Sequence, residues 1–451
     1  MYLLVFNLRL IPGRTLIFNF QFLINMIRLY FQQAFYHLRE NPIITWVSVI
    51  GTALAICMIM VLVITLQVRM VDCEPEINRS RSLYVSTMAV RYKGTDHGAY
   101  GHMSVQTGKG CFKQLSTAEA VTLISLPEKV RASLPAGAKL TADMVQTDEQ
   151  FWHIFRFRFL SGKGFSKADS DAGIPCAVIS ATVARRLFGT TEATGQTLQL
   201  NHVDYRVSGV VADVSMLATS AYGQVWVPYN STDAAGFAWW ENTMGQMKAV
   251  ILAHSSADFP AIREEAERLR LAYNAGLSEA ETFYRDQPDG VFANLYRKWD
   301  HLPDVKGIVL RYALVITILL LVPAINLSSM TLSRMRKRMS EIGVRKAFGA
   351  TGSELVRQVF FENLLLSLLA GMLGLALSYG ATFLLNGFLF GNSANAYLNG
   401  DTSLTPGMLL SPWAFLSAFG FCLLMNLLSA GIPAWRASRM NIVDAINQRG
   451  E

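Results

Sequence analysis

Four stretches of this chain carry no Asp, Glu, Lys or Arg: Asn41–Val68, Tyr312–Ser333, Asn363–Gly400 and Thr402–Trp435. A helix of about 20 apolar residues crosses the roughly 30 Å hydrocarbon core of a bilayer, and each stretch can supply that many. Between the first and second lies Arg69–Lys306, which mixes charged, polar and apolar residues. The pattern predicts a multi-pass α-helical membrane protein with four transmembrane helices. A large mixed α/β domain is expected between helices 1 and 2, on one side of the membrane.

Composition agrees, at 51% hydrophobic and 16% charged, against about 25% charged in ordinary soluble domains. The formal net charge of +7 invites a nucleic-acid partner, but its placement argues against one. Arg334, Arg336, Lys337, Arg338, Arg345 and Lys346 crowd one short loop between spans, whereas Asn386–Ser411 holds no Lys or Arg. Basic loops stay on the cytoplasmic side. Both termini and the basic loop are therefore expected in the cytoplasm, with the Arg69–Lys306 domain facing outward.

The expected boundaries follow. Residues 1–42 form an N-terminal interfacial segment, in which Phe22–Leu38 mixes apolar and aromatic residues with Arg28 and His37. Met26 is an alternative start, which would leave 1–25 outside the native chain. The first span is 43–66, the outer domain 67–306 and the second span 307–329, with Pro323 predicting a kink. A cytoplasmic loop at 330–357, a third span at 358–385, an outward-facing loop at 386–411, a fourth span at 412–433 and a cytoplasmic tail at 434–451 complete the chain.

Within the large domain, Ser82–Tyr92 reads as a strand, Gly94–Gly110 as a Gly-rich loop and Thr117–Ser125 as a short helix. Pro175–Ser180 predicts a buried strand, followed by an Ala181–Phe188 helix that Gly189 would cap. Alternation at Leu198, Leu200, Val203, Tyr205 and Val207 around Asn201-His202 predicts a hairpin. Gln224–Pro228 and Met247–Ala253 are further strands. Phe259–Ala272 has helical spacing, with Glu264, Glu265 and Arg268 on its wet face. Two subdomains are expected.

The most specific stretch is Ser333–Glu362. A basic helix, Arg334–Phe348, is followed by a Gly349-Ala-Thr-Gly352 break, and Thr351 with Glu354 has the spacing of a capping box that starts a second helix. A short surface helix joined rigidly to a span is a lever; a solvated basic loop serving only topology is the plainer alternative. The run RKRMSEIGVRKAFGATGSELVRQVFFENLLLSLLAGMLGL closely resembles the cytoplasmic loop and third span of FtsX-type ABC transporter permeases, and IPAWRASRMNIVDAI resembles that family's ending. FWHIFRFRFLSGKGFS, AVISATVARRLFG and TGQTLQL look like the periplasmic domain of MacB-type exporters. The resemblance implies a bacterial inner-membrane protein with its 67–306 domain and 386–411 loop in the periplasm, an FtsX-like domain over about 307–445 and a coupling helix that docks on an ATPase subunit. Carried over by position, Glu341, Ile342, Gly343, Arg345, Lys346, Ala347, Phe348, Gly349 and Ala350 match its motif. Phe348 and Ile342 would pack on the ATPase, with Glu341, Arg345 and Lys346 pairing at its rim.

No G-x-x-x-x-G-K-[ST] occurs in the chain. No cofactor is expected here; ATP and Mg would be bound by a separate cytoplasmic ABC ATPase. Other expected partners are a second permease, identical or paralogous, and a periplasmic adaptor with an outer-membrane channel. Ala370, Gly374, Ser378 and Thr382 fall on one face of the third span and could form a dimer seam or pack within one subunit. His97, His102 and His153 lack metal-binding spacing, and Trp239-Trp240 suggests packing or a partner contact. Cys73, Cys111 and Cys176 permit one disulfide. No catalytic constellation can be assembled, so an enzyme is not expected. The reading is an export permease working by mechanotransmission, of antimicrobial-peptide or macrolide-like substrates. The alternatives are a scaffold that activates a periplasmic cell-wall hydrolase, a lipoprotein-release permease, or a sensor without an ATPase.

Overall fold

The computed structural model describes residues 42–95, 97–135, 137–232, 236–298, 301–337, 351–391 and 398–403, with short helical pieces between 415 and 424. The chain divides into two compact units: a helical one containing 310–382, and an α/β one containing 64–309 and 383–410.

In the helical unit, the uncharged stretches lie within long helices. Pro42–Met70 meets its first basic residue only at Arg69, and Gly352–Leu384 begins directly after Thr351, where the second helix was expected. Thr45–Met70 and Asn363–Leu384 are each long and apolar enough to cross a membrane. The second expected span lies within Val305–Lys337, a helix that continues through Pro323. The fourth falls largely outside the described residues, as does the interfacial segment.

Small residues let two of these helices approach closely. Val49, Ala53, Leu366 and Ala370 share one apolar cluster. A Cβ on Gly374 would lie 2.8 Å from the Ala53 carbonyl oxygen and 2.9 Å from the Ile56 Cβ. Ser378 and Thr382, both buried, return their hydroxyls to their own helix, at Leu375 O (2.7 Å) and Ser378 O (2.8 Å). Of the two uses expected for this ridge, packing within one chain is present at Ala370 and Gly374.

The α/β unit has two sheets. The first takes β1 (Ser82–Val85), β2 (Met88–Tyr92), β3 (Gly98–Met103) and β4 (Ala120–Ser125). The second takes β5 (Glu128–Ser133), β6 (Lys139–Thr147), β7 (Phe159–Gly162), β8 (Cys176–Ser180), β9 (Thr197–Leu200), β10 (Val203–Val211) and β11 (Val225–Pro228). The chain then returns to the first sheet with β12 (Met244–Gly245), β13 (Met247–Leu252), β14 (Ala280–Phe283) and β15 (Asp289–Gly290). The second lobe is thus an insertion in the first. In the first sheet β13 pairs with both β1 and β4, and β2 lies between β14 and β3. In the second the order is β7-β10-β8-β11-β6-β5-β9, and β9 pairs again with β10. Six strands therefore close on themselves around Val130, Met144, Ile179, Leu198, Val207 and Val225.

Several local readings hold. Ser180 caps the Ala181–Phe188 helix and Gly189 ends it at φ +74°. Asn201 and His202, at φ +47° and +74°, turn the β9–β10 hairpin, as a two-residue hairpin of matching twist requires. Other readings are corrected. Ser82–Tyr92 is two strands, broken at Ser86-Thr87. Gly94–Gly110 contains β3 and the helix Val105–Cys111, because its glycines serve close packing: a Cβ on Gly108 would meet Leu123 at 2.6 Å. Thr117–Ser125 contains no helix; Ala120–Ser125 is a wholly buried strand paired residue for residue with β13.

The Phe259–Ala275 helix leaves Glu264 and Arg268 exposed but buries Glu265. Glu265 accepts from the backbone N–H and the hydroxyl of both Ser116 and Thr117, at 2.6–3.2 Å. Burial alone would raise its pKa; these bonds outweigh that and pull it to about 2.

Two expectations follow. Gly374→Leu pushes a side chain against helix backbone, where overpacking costs about 1–3 kcal/mol, and should lower the melting temperature of the purified chain. Glu265 has a folded pKa below the unfolded value of about 4.3. Its stabilisation is complete above that pH and is lost as pH falls toward about 2. Glu265→Gln should therefore be less stable at pH 7 and show a shallower acid loss over that window in thermal melts.

Candidate functional site

The last carbonyls of a helix have no partners within it. At the end of Pro42–Met70 one arginine supplies them. Arg79 donates through one terminal nitrogen to Val68 O (2.9 Å) and Val71 O (3.1 Å), and through the other to Leu217 O (2.9 Å). Its Nε donates to Glu76 Oε2 at 2.6 Å. The second oxygen of Glu76 accepts from Ser220 N (2.7 Å) and Ala221 N (2.9 Å). Both residues are 3% exposed. A cation at a helix C-terminus also complements the helix dipole. Burial opposes the Arg79 charge, but Glu76 beside it prevails and holds its pKa above the usual guanidinium value. Asp72 adds bonds from the Ser80 N–H (2.8 Å) and hydroxyl (2.7 Å). This network fastens the last turn of the helix to the 217–221 segment of the domain.

A second latch comes from far along the chain. Asn399 N donates to Asp143 Oδ2 at 2.6 Å, and its side-chain amide reaches Thr141 O (3.2 Å) and Asp143 Oδ1 (3.3 Å). Asp143, fully buried, also accepts from the Tyr222 hydroxyl at 2.5 Å. A Cβ on Gly400 would fall 2.3 Å from that hydroxyl, so only glycine fits there. Met216 N donates to Asp401 O (3.1 Å). Nearby, Arg69 reaches Leu389 O (3.3 Å) and the face of Phe390, and Asn386 donates to Thr402 O (2.6 Å). Both latches converge on residues 216–222.

The lobes meet in a third apolar core. Tyr84, Ile124, Val250 and Leu252 of the first sheet face Val145, Val178, Val211 and Trp226 of the second. The FWHIFRFRFLSGKGFS segment fills the space with Phe151, Phe155 and Phe165. Trp152 meets Phe165 at 5.4 Å and Trp226 at 6.3 Å, and Gly164 leaves room for its ring. Aromatic pairs at such distances add about 0.5–1.5 kcal/mol each beyond burial. Asp148, buried at the end of β6, accepts from Thr122 (3.0 Å), Leu123 N (3.0 Å) and Lys113 (2.9 Å) of the other lobe.

The coupling residues Glu341, Ile342, Gly343, Arg345, Lys346, Ala347, Phe348, Gly349 and Ala350 lie outside the described residues. His102 is a buried core residue with Nδ1 2.6 Å from Ser86 O. His97 is exposed, and His153 lies 3.4 Å from Glu119 on the surface. Trp240 packs on Tyr92 at 4.7 Å, while Trp239 is 41% exposed against Phe237. Cys73, Cys111 and Cys176 are free thiols. Sequence reasoning missed Glu76, Arg79, Asp143 and Asn399. Acid and arginine three residues apart, just past a span, was the available signal for the first pair; Asp143 and Asn399 offered none.

Arg79→Leu strands Glu76 without its counter-charge, which in buried pairs costs about 3–5 kcal/mol. A denaturant titration should show that loss, and the Glu76→Gln, Arg79→Met double variant should recover part of it.

Comparison with known proteins fits this architecture. Residues 45–269 match the model of the MacB-like periplasmic core domain and residues 313–442 that of the FtsX-like permease C-terminal. The macrolide export ATP-binding/permease protein MacB of Burkholderia lata is 26% identical over 79% of this chain and 48% of its own length. Its namesake in Escherichia coli K12 is 25% identical over 66% of this chain and 42% of its own. The chain thus spans about half the length of the curated relatives it matches. Among solved structures, the extracellular domain of the ABC-type transporter YknZ from Gram-positive bacteria is 18% identical, covering 44% of this chain and 99% of that one, with a TM-score of 0.32. The periplasmic region of MacB from Actinobacillus actinomycetemcomitans is 15% identical, covering 45% and 90%, also with a TM-score of 0.32. The chain belongs to the ABC transporter permeases of the FtsX/MacB type, uniting a MacB-like periplasmic core domain with an FtsX-like permease domain.

Proposed function

We propose that this permease works by mechanotransmission, delivering work from ATP hydrolysis in the cytoplasm to a periplasmic domain that drives substrate outward. Four spans carry the motion, with both termini and the 330–357 loop cytoplasmic. Glu341, Ile342, Gly343, Arg345, Lys346, Ala347, Phe348, Gly349 and Ala350 form the coupling helix. A separate ABC ATPase holds ATP and Mg and docks there, and two permease subunits, identical or paralogous, act together with an adaptor and outer-membrane channel. Macrolide-like or peptide substrates are the reading that the relatives' names favour.

The double latch carries this proposal. Arg79 and Glu76 seize the last turn of the first helix, and Asn399 ties the segment after the third helix to Asp143. Both attachments are hydrogen-bonded, the first through a buried ion pair and the second onto the buried carboxylate of Asp143, so displacement of either segment is passed to the domain rather than absorbed by a slack linker. The Asn399–Asp143 bond also supports placing 386–403 on the same side of the membrane as the large domain. A route for a polar solute through the bilayer ordinarily needs ionisable residues inside the spans, and the four stretches have none.

The reading requires two separations of function. Phe348→Asp should leave membrane insertion intact while hydrolysis no longer drives export; wild-type export by that variant refutes the assigned docking role. Asn399→Ala should keep ATPase stimulation but lower export per ATP by about tenfold, the scale of an ordinary coupling free energy. Purification of the native complex distinguishes the alternative: an adaptor and channel accompany an exporter, a cell-wall hydrolase accompanies a regulator.

A further inference from the structure

Alternate residues of a strand share one face, so Leu252, Val250 and Lys248 of β13 point the same way. Leu252 and Val250 lie in the core between the lobes, and Lys248 stands one step beyond it, paired in register with Ile124. It borders a cavity of about 70 Å³ lined also by Ser86, Ser125, Thr219, Ser220, Tyr222 and Asn294, with no carboxylate in its wall. Cavities above about 10–15 Å³ admit water, so this one has room for several water molecules or one small anion.

The hydrogen-bond inventory of the wall has one sign. Ser86 donates to Asn294 Oδ1 (2.6 Å), Ser125 to Leu126 O (3.0 Å) and Tyr222 to Asp143 (2.5 Å). The Asn294 amide nitrogen, the hydroxyls of Thr219 and Ser220, and the Lys248 ammonium are left as donors with no recorded acceptor among the described residues. A poorly hydrated cation calls for an anionic partner. Burial lowers the Lys248 pKa; burial and the Lys248 charge together hold His102 down at about 4.

We propose that this interlobe cavity is a binding site for a carboxylate group, with Lys248 as its counter-charge and Asn294, Thr219 and Ser220 as its hydrogen-bond donors. The site goes beyond the transport reading and does not depend on it. Its position gives it a consequence: Ser220 also donates to Glu76 and Tyr222 to Asp143, so an occupant bears on the segment that both latches grip.

The test is reductive methylation of the purified full chain by formaldehyde, with modification mapped at each lysine by mass spectrometry. Sodium acetate should slow modification of Lys248 by about fivefold at roughly 80% occupancy, relative to sodium chloride at equal ionic strength. Exposed Lys139 and Lys167 should be unaffected. Acetate should also raise the melting temperature of the wild type above that in chloride, and Lys248→Met should abolish the difference. N-acetyldiglycine and its amide separate two sources of the carboxylate: protection by the acid but not the amide assigns the end of a peptide chain, and protection by acetate alone assigns a free small anion. If neither acetate nor the peptide acid protects Lys248 or shifts the melt, the assignment is overturned, and the wild-type measurements decide this even if the variant fails to fold.

Discussion

The buried Glu76–Arg79 pair is the constraint around which this molecule is organised. A helix that leaves lipid ends in carbonyls that water or protein must satisfy. Arg79 satisfies two carbonyls at that end and a domain carbonyl with one rigid fork. Lysine could not do the same, because a point charge on a flexible stem lacks the planar geometry to hold three acceptors and a carboxylate together. The pair stabilises a particular geometry more than it adds net free energy, since its desolvation offsets much of its Coulomb attraction. That geometry fixes the helix end against residues 217–221.

The same logic extends to the lobes. They are joined by a core rich in aromatic rings and by Asp148, which takes hydrogen bonds from three residues of the opposite lobe. Beside that dry core, the polar cavity at Lys248 interrupts the packing at the residues that also anchor both latches. A ligand held in that cavity would bear directly on the residues to which both latches attach.

Much of this was legible in the sequence where the physics is local. Absence of charge marked the long helices, and an Asn-His pair between alternating strands marked the hairpin, because few residues accept positive φ at both turn positions. The Ala181–Phe188 helix announced its own end through Gly189. Long-range relations were not legible. The glycines at 98 and 108 looked like loop residues, yet each is small because a strand or side chain crowds it: an added Cβ would lie 2.7 Å from Val90 O at Gly98 and 2.6 Å from Leu123 at Gly108. A helical wheel put Glu265 in solvent because nothing local announces Ser116 and Thr117, some 150 residues upstream. The Asp143–Asn399 latch is the extreme case, with 256 residues between donor and acceptor.

The second pairing of β9 with β10 has an outcome for how the inserted lobe meets its surroundings. A sheet that closes on itself offers few unpaired amides for a foreign strand to extend. Apart from the short edge strand β7, the lobe therefore presents loops and outward side chains, and not open strand edges, to whatever engages it.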